Sequence, residues 1–176
     1  MNGITDGHWA GHVNWFDVFD PLSKIWSKLP NSPHARDHFQ TAVVGDKLYV
    51  AGGRRSSAKT DEVLQLTEGA VDVFDFKSQT WTTLAADKNI PTKRAGCTAI
   101  ALNGRVLIIG GESGTQTLAH NQCEAFNTKT QVWETLPTLK TGRHGTQAVG
   151  LNHKIWVVAG CGERGGTPEQ NSIEVF

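Results

Sequence analysis

The chain has 176 residues, with Lys plus Arg and Asp plus Glu both at 17, so it carries no net charge. That balance argues against a surface given over to nucleic acid or anionic lipid, and no apolar run approaches the roughly 20 residues that span a bilayer. The start, MNGITDGHWAGH, has neither a basic stretch nor an apolar core and does not read as a signal peptide. Cys97, Cys123 and Cys161, odd in number and without paired spacing, make neither a disulfide framework nor a zinc site. They favour a reducing, cytoplasmic compartment.

In chain order, the first predicted elements are two strands within residues 13–34, in the stretch VFDPLSKIWSKL (18–29). A strand pair of small and then apolar residues follows, in RDHFQTAVVGDKLYVAGG (36–53). After a long connection, VDVF leads into VFDFKSQTWTTL (73–84). The same order returns as RAGCTAIALNGRVLIIGG (94–111) with AFNTKTQVWETL (125–136), and again as RHGTQAVGLNHKIWVVAG (143–160) with IEVF (173–176). The period is 49 to 58 residues, and self-similarity at such a period signals a repeat architecture.

Each unit reads as four strands, a to d. Strands a and b meet at Gly45-Asp46, Asn103-Gly104 or Asn152-His153, and Asn-Gly is a strong two-residue hairpin signal. Strand b (LYVAG, VLIIG, IWVVA) is apolar at consecutive positions, which predicts cover on both faces. Strand c leads into an Asp/Asn-x-x-Ser/Thr turn, where the first side chain bonds its own backbone. Strand d carries Trp26, Trp81 or Trp133. Small sheets that each need a neighbour on both faces stack around an axis, so the fold class is all-β, a propeller of four-stranded antiparallel blades. The predicted units are 13–34 (strands c and d), 36–84, 94–136 and 143–176 (strands a to c).

The repeated Arg, the double glycine after an apolar-aromatic strand and the VFD…S..W..L block resemble the kelch repeat, over essentially the whole chain. About three and a half blades are present, where closed propellers typically have four to eight. Three arrangements answer this: a portion of a longer six- or seven-bladed kelch protein, two chains associating through open blade edges, or a compact ring of about four blades.

GGRRSSAKT (52–60) ends one residue away from a P-loop signature. Ala58 stands where that loop needs glycine, no helical stripe follows, and the other copies read GGESGTQT and AGCGERGG. The segment is therefore a b–c loop. Long b–c loops (54–70, 112–122, 162–172) emerge on one face with the starts of the a strands, and rigidly held loops are where binding residues gather. The predicted ligand-binding set on that face is Arg36, Arg94, Arg143, Arg54, Arg55, Glu112, Ser113, His120, Glu163 and Arg164. A structural bond to a neighbouring blade is the competing role for the three repeated arginines.

Resemblance to kelch adaptors of ubiquitin ligases implies a peptide gripped by arginines and hydroxyls, hence a protein-interaction scaffold with a protein or peptide partner. The alternative is the propeller of a secreted carbohydrate-active or galactose-oxidase-like protein. That resemblance implies tyrosine copper ligands, and the one tyrosine, Tyr49, sits in an apolar b strand. His8 with His12 and His34 with His38 have helical metal-ligand spacing but lie in Gly- and Pro-rich loops. Neither a catalytic constellation nor a cofactor or metal site is predicted.

Overall fold

A computed structural model of the chain describes residues 3–6 and 10–176. It contains fifteen strands: β1 (Gly3–Asp6), β2 (Ala10–Val13), β3 (Phe16–Asp20), β4 (Ile25–Leu29), β5 (Gln40–Val44), β6 (Lys47–Ala51), β7 (Asp72–Asp75), β8 (Thr80–Thr83), β9 (Thr98–Leu102), β10 (Arg105–Ile109), β11 (Cys123–Asn127), β12 (Val132–Leu136), β13 (Ala148–Leu151), β14 (Lys154–Val158) and β15 (Ile173–Val175). All pairings are antiparallel. They form sheet I (β3–β4), sheet II (β5–β8), sheet III (β9–β12), sheet IV (β13–β15) and a separate β1–β2 hairpin. Blades of this kind, meandering from an inner strand outward, make an all-β kelch-type propeller arc.

The apolar b strands are buried on both faces, as their composition demands. In β10, Val106 and Ile108 enter the core between sheets II and III, while Leu107 and Ile109 enter the core between III and IV. In β6, Leu48 and Val50 face sheet I, and Tyr49 and Ala51 face sheet III. In β14 only Ile155 and Val157 find such cover. Burying each Val, Leu or Ile among these contributes about 1.5–3 kcal/mol.

Local chemistry sets the turns. The Asp75 carboxyl and Asn127 amide oxygens accept backbone N–H bonds from the residues two and three positions on, and Asp20 accepts from the Leu22 amide and the Ser23 hydroxyl. The strand-d tryptophans fasten each blade to the one before: Trp81 Nε1 donates to the Pro30 carbonyl and Trp133 Nε1 to the Lys88 carbonyl, both at 2.8 Å. Trp26 is 68% exposed and Phe19 42%, so the described residues form an open arc and not a compact closed ring.

The inner strands lock the blades to one another. Gln40 on β5 accepts from the Thr98 hydroxyl and donates to the Thr146 carbonyl, so one side chain spans sheets II, III and IV. The β1–β2 hairpin precedes the first strand expected from the sequence. Its four-residue strands, with Gly3 and Gly11 inside them, lack the apolar alternation by which a strand is recognised.

Candidate functional site

The three repeated arginines are buried. Arg36, Arg94 and Arg143 are at most 1% exposed, and each guanidinium bonds within its own blade. Arg36 bonds Asp72 at 2.6 Å and the carbonyls of Gly52 and Ala70. Arg94 bonds Glu124 at 2.5 Å and the carbonyls of Gly110, Ile108 and Thr92. Arg143 bonds Glu174 at 2.8 Å and the carbonyls of Ala159 and Ser172. Each arginine therefore stitches strand b to an acid on strand c, with its charge neutralised on the spot. This geometry supports the structural role for the three arginines, with the bonds made within each blade and not to its neighbour. Contact with the neighbouring blade is made by the backbone instead: Gly53 N–H donates to the Arg94 carbonyl and Gly111 N–H to the Arg143 carbonyl.

Beside this scaffold runs a second polar chain, made by the residues that follow each arginine and each small pair. Asp37 accepts from the Ser56 amide and hydroxyl and from His38, and lies 3.7 Å from Arg54. Arg54 bonds Ser56 and, across the blade boundary, Glu112 at 2.5 Å. Glu112 in turn accepts from the Gly165 amide at 2.8 Å and lies 3.6 Å from His144. Arg54 and Glu112 are each 3% exposed, so most of each side chain is spent on positioning its neighbours. Burial works to raise the pKa of Glu112. The Gly165 amide, the Arg54 charge and the nearby His144 outweigh it and hold the carboxyl below its ordinary range. Asp37 is lowered in the same way: burial opposes, and His38 and Ser56 prevail.

The b–c loops clamp one another. Gly114 N–H donates to Leu64, Ala119 N–H to Gly162 and Arg164 N–H to Thr117, while the Arg164 guanidinium reaches the Gly114 carbonyl. Over the polar chain they leave a cavity of about 440 Å³ walled by Val63 and Leu64, with His38, Arg54, Glu112 and His144 at its base. Arg55 and Arg164 are exposed beside it. Glu163 is half-buried and lends its carbonyl to His144 Nε2. In the segment 54–60 the amides of Arg54, Arg55, Ser56, Ser57 and Thr60 all donate to protein oxygens, and only a three-residue 3-10 turn follows, so it cradles no phosphate.

Ser113 and His120 form a closed pair, each 3% exposed. His120 Nδ1 faces Gln122 Oε1, which can only accept, so Nδ1 carries the proton and Nε2 accepts from the Ser113 hydroxyl. Burial depresses the His120 pKa. A base depressed in the fold gives stability that is complete above its unfolded pKa and lost as pH falls. Stability is therefore expected to drop first below about pH 6.5, and again through the carboxylate range as Glu112 and Asp37 take up protons. Melting temperatures followed by circular dichroism from pH 8 to 4 should show both stages, and His120→Gln should remove the first.

Of the His-x-x-x-His spacings, His8 lies outside the described residues, while His34 bonds Asp72 and His38 bonds Asp37. No group of three His, Cys, Asp or Glu among the described residues is placed to hold a metal. Tyr49 is 7% exposed and packs beside Phe126 in the core between sheets II and III.

Comparison with known proteins agrees with this architecture. Residues 3–160 match the KLHDC2/KLHL20/DRC7 Kelch-repeats domain. Human Kelch domain-containing protein 8B is 24% identical over 152 residues, which is 86% of this chain and 43% of that protein. Alpha-scruin of Limulus polyphemus is 31% identical over 161 residues, 90% of this chain and 16% of its own length. Kelch-like protein 40 of Xenopus laevis is 27% identical over 163 residues, 93% of this chain and 25% of its own length. The chain thus spans less than half the length of these relatives. The solved structure of YjhT superposes with a TM-score of 0.72 at 18% identity, covering 93% of this chain and 48% of that one. With its domain match over nearly the full length and its blades built on the Arg, double-glycine and Trp positions, the chain belongs to the kelch-repeat family.

Proposed function

We propose that the b–c loop face binds a protein or peptide segment, making this kelch domain an interaction scaffold. The carrying observation is the apolar-walled cavity over the Asp37–Arg54–Glu112–His144 chain. Its mouth is held by loop-to-loop hydrogen bonds from three blades, so little ordering is needed when a ligand arrives. Membership of the kelch-repeat family supports a protein partner, which resemblance to kelch adaptors implies. Val63 and Leu64 take an apolar side chain, and exposed Arg55 and Arg164 meet acidic groups flanking it.

A peptide library displayed on phage, selected against the chain, tests this. Selected peptides are expected to carry an apolar residue beside Asp or Glu. They should lose about tenfold or more in affinity, roughly 1.4 kcal/mol, on Leu64→Asp or on Arg55→Glu with Arg164→Glu. Lys129→Glu, in a c–d turn on the opposite face, should leave affinity unchanged. Selective binding on a glycan array with no peptide recovered would refute the reading.

A further inference from the structure

The floor of the b–c loop cavity holds a donor and an acceptor that no described residue satisfies. Arg54 spends Nε on the Ser56 hydroxyl and Nη1 on Glu112, which leaves its Nη2 amino group without a partner among the described residues. His144 Nε2 lies 2.8 Å from the Glu163 carbonyl, which can only accept, so Nε2 carries the proton and Nδ1 of the neutral ring is a bare lone pair. Arg54 and His144 are 3% and 7% exposed, yet neither atom is among the polar atoms sealed from solvent without a partner. What stays accessible of them opens on the cavity that both residues line. Gly96 keeps the lone pair clear: a Cβ at that position would sit 3.3 Å from His144 Nδ1.

Glu112 sets the spacing of the two, since its Oε1 accepts from Arg54 and its Oε2 is 3.6 Å from His144 Nε2. Charge and hydrogen-bond capacity then narrow what can bind there. With the imidazoles neutral, one guanidinium stands against the two carboxylates of Asp37 and Glu112, so the floor is net negative. A ligand carboxylate would meet that charge and set a second acceptor against the His144 lone pair. An ammonium would offer Arg54 Nη2 no acceptor. It would also find the carboxylate oxygens taken, by the Ser56 hydroxyl and amide on Asp37 and by Arg54 and the Gly165 amide on Glu112. A neutral carboxamide carries one C=O and an N–H in a single plane, and so answers both groups. Leaving such groups unpaired under a ligand costs binding energy, which makes the match selective.

We propose that the segment bound here sets a carboxamide side chain, glutamine or asparagine, on the cavity floor, its oxygen accepting from Arg54 Nη2 and its N–H donating to His144 Nδ1. The proposal rests on the reading of this face as a peptide site and specifies what that site selects. The methylene stem of the amide lies along Val63 and Leu64, and the cavity of about 440 Å³ has room beside it for the neighbouring apolar side chain. Arg55 and Arg164 stay at the rim, so acidic residues of the ligand remain outside and the neutral amide goes in.

Peptides selected from the phage library against the full chain supply the test. They should carry Gln or Asn at one fixed position near the apolar residue. Synthetic copies in which that amide becomes the matching carboxylate, or a Met or Leu of similar size, should bind about tenfold more weakly or worse by calorimetry. His144→Phe keeps a planar ring and removes the lone pair, so on this variant the preference for the amide over Met or Leu should shrink by about threefold or more. A merely structural role for His144 would weaken all the peptides equally and leave the preference intact. If His144→Phe does not fold, the comparison on the wild-type chain decides alone. Peptides that lose affinity on Leu64→Asp but share no carboxamide, or that bind equally well as the carboxylate, overturn this proposal and leave the peptide-binding reading standing. A library that yields no peptide removes both.

Discussion

Arg94→Met is expected to cost about 3–5 kcal/mol of unfolding free energy, a large part of the stability of an ordinary domain. Arg94 is fully buried and bonds Glu124 at 2.5 Å, the Gly110 carbonyl at 2.6 Å, the Thr92 carbonyl at 2.7 Å and the Ile108 carbonyl at 3.0 Å. Its removal strands the Glu124 charge at 5% exposure, with only the Thr92 hydroxyl still bonded to it, and leaves carbonyls at the end of strand b without donors. The penalty comes chiefly from the orphaned acid, so Arg94→Met combined with Glu124→Leu should recover at least half of the loss. Arg105→Ala is the control: its bond to Glu134 is 3.1 Å long between half-exposed groups, and such pairs contribute about 0–1 kcal/mol. Urea unfolding measures all three. Equal losses for Arg94→Met and Arg105→Ala would show that the buried pairs are not what holds the blades.

Gly110→Ala is expected to be nearly as damaging, at roughly 3 kcal/mol or more. The new Cβ would sit 2.2 Å from the Arg143 carbonyl oxygen, at a φ of +63° that side chains avoid. The obstacle is backbone, and that same carbonyl accepts the Gly111 amide that joins sheet III to sheet IV, so relief of the clash breaks the join. Gly104→Ala separates strain from clash: its φ is +73° but nothing lies within 4 Å, so only the left-handed penalty of about 1–2 kcal/mol applies. Ala159 occupies the same repeat position as Gly110 with φ +54°, and Ala159→Gly is expected to raise stability by up to about 1 kcal/mol. Thermal melts of the three variants should therefore fall sharply, fall modestly and rise.

The backbone architecture could be read from residues whose chemistry forces one outcome. A run such as VLII cannot face water on either side, and β10 indeed divides its side chains between two cores. Asp75 and Asn127 cap their turns as short polar side chains before Ser or Thr should. The candidate site was harder to read, because a buried arginine and an exposed one look alike in a string of letters. A signal was nevertheless present: every strand c carries an acid, at Asp72, Glu124 or Glu174, in step with the arginine of its unit. An acid inside an apolar strand needs a buried partner, and that pairing identifies the arginines as structural. The polar chain beside them left less trace. Asp37, Ala95 and His144 share one repeat position, and Arg54, Glu112 and Cys161 another, so aligning the units discards them as variation. Their meaning lies between blades, where Arg54 of one meets Glu112 of the next.

A tandem array held only by adjacent faces would come apart piecemeal, each module melting at its own threshold. Gln40 forbids that simple behaviour here, since its amide grips the module two places onward as well as the nearest one. Loss of the central module would release a long-range tether together with two contacts. Slow amide exchange should accordingly end for β5, β9 and β13 in a single concerted event.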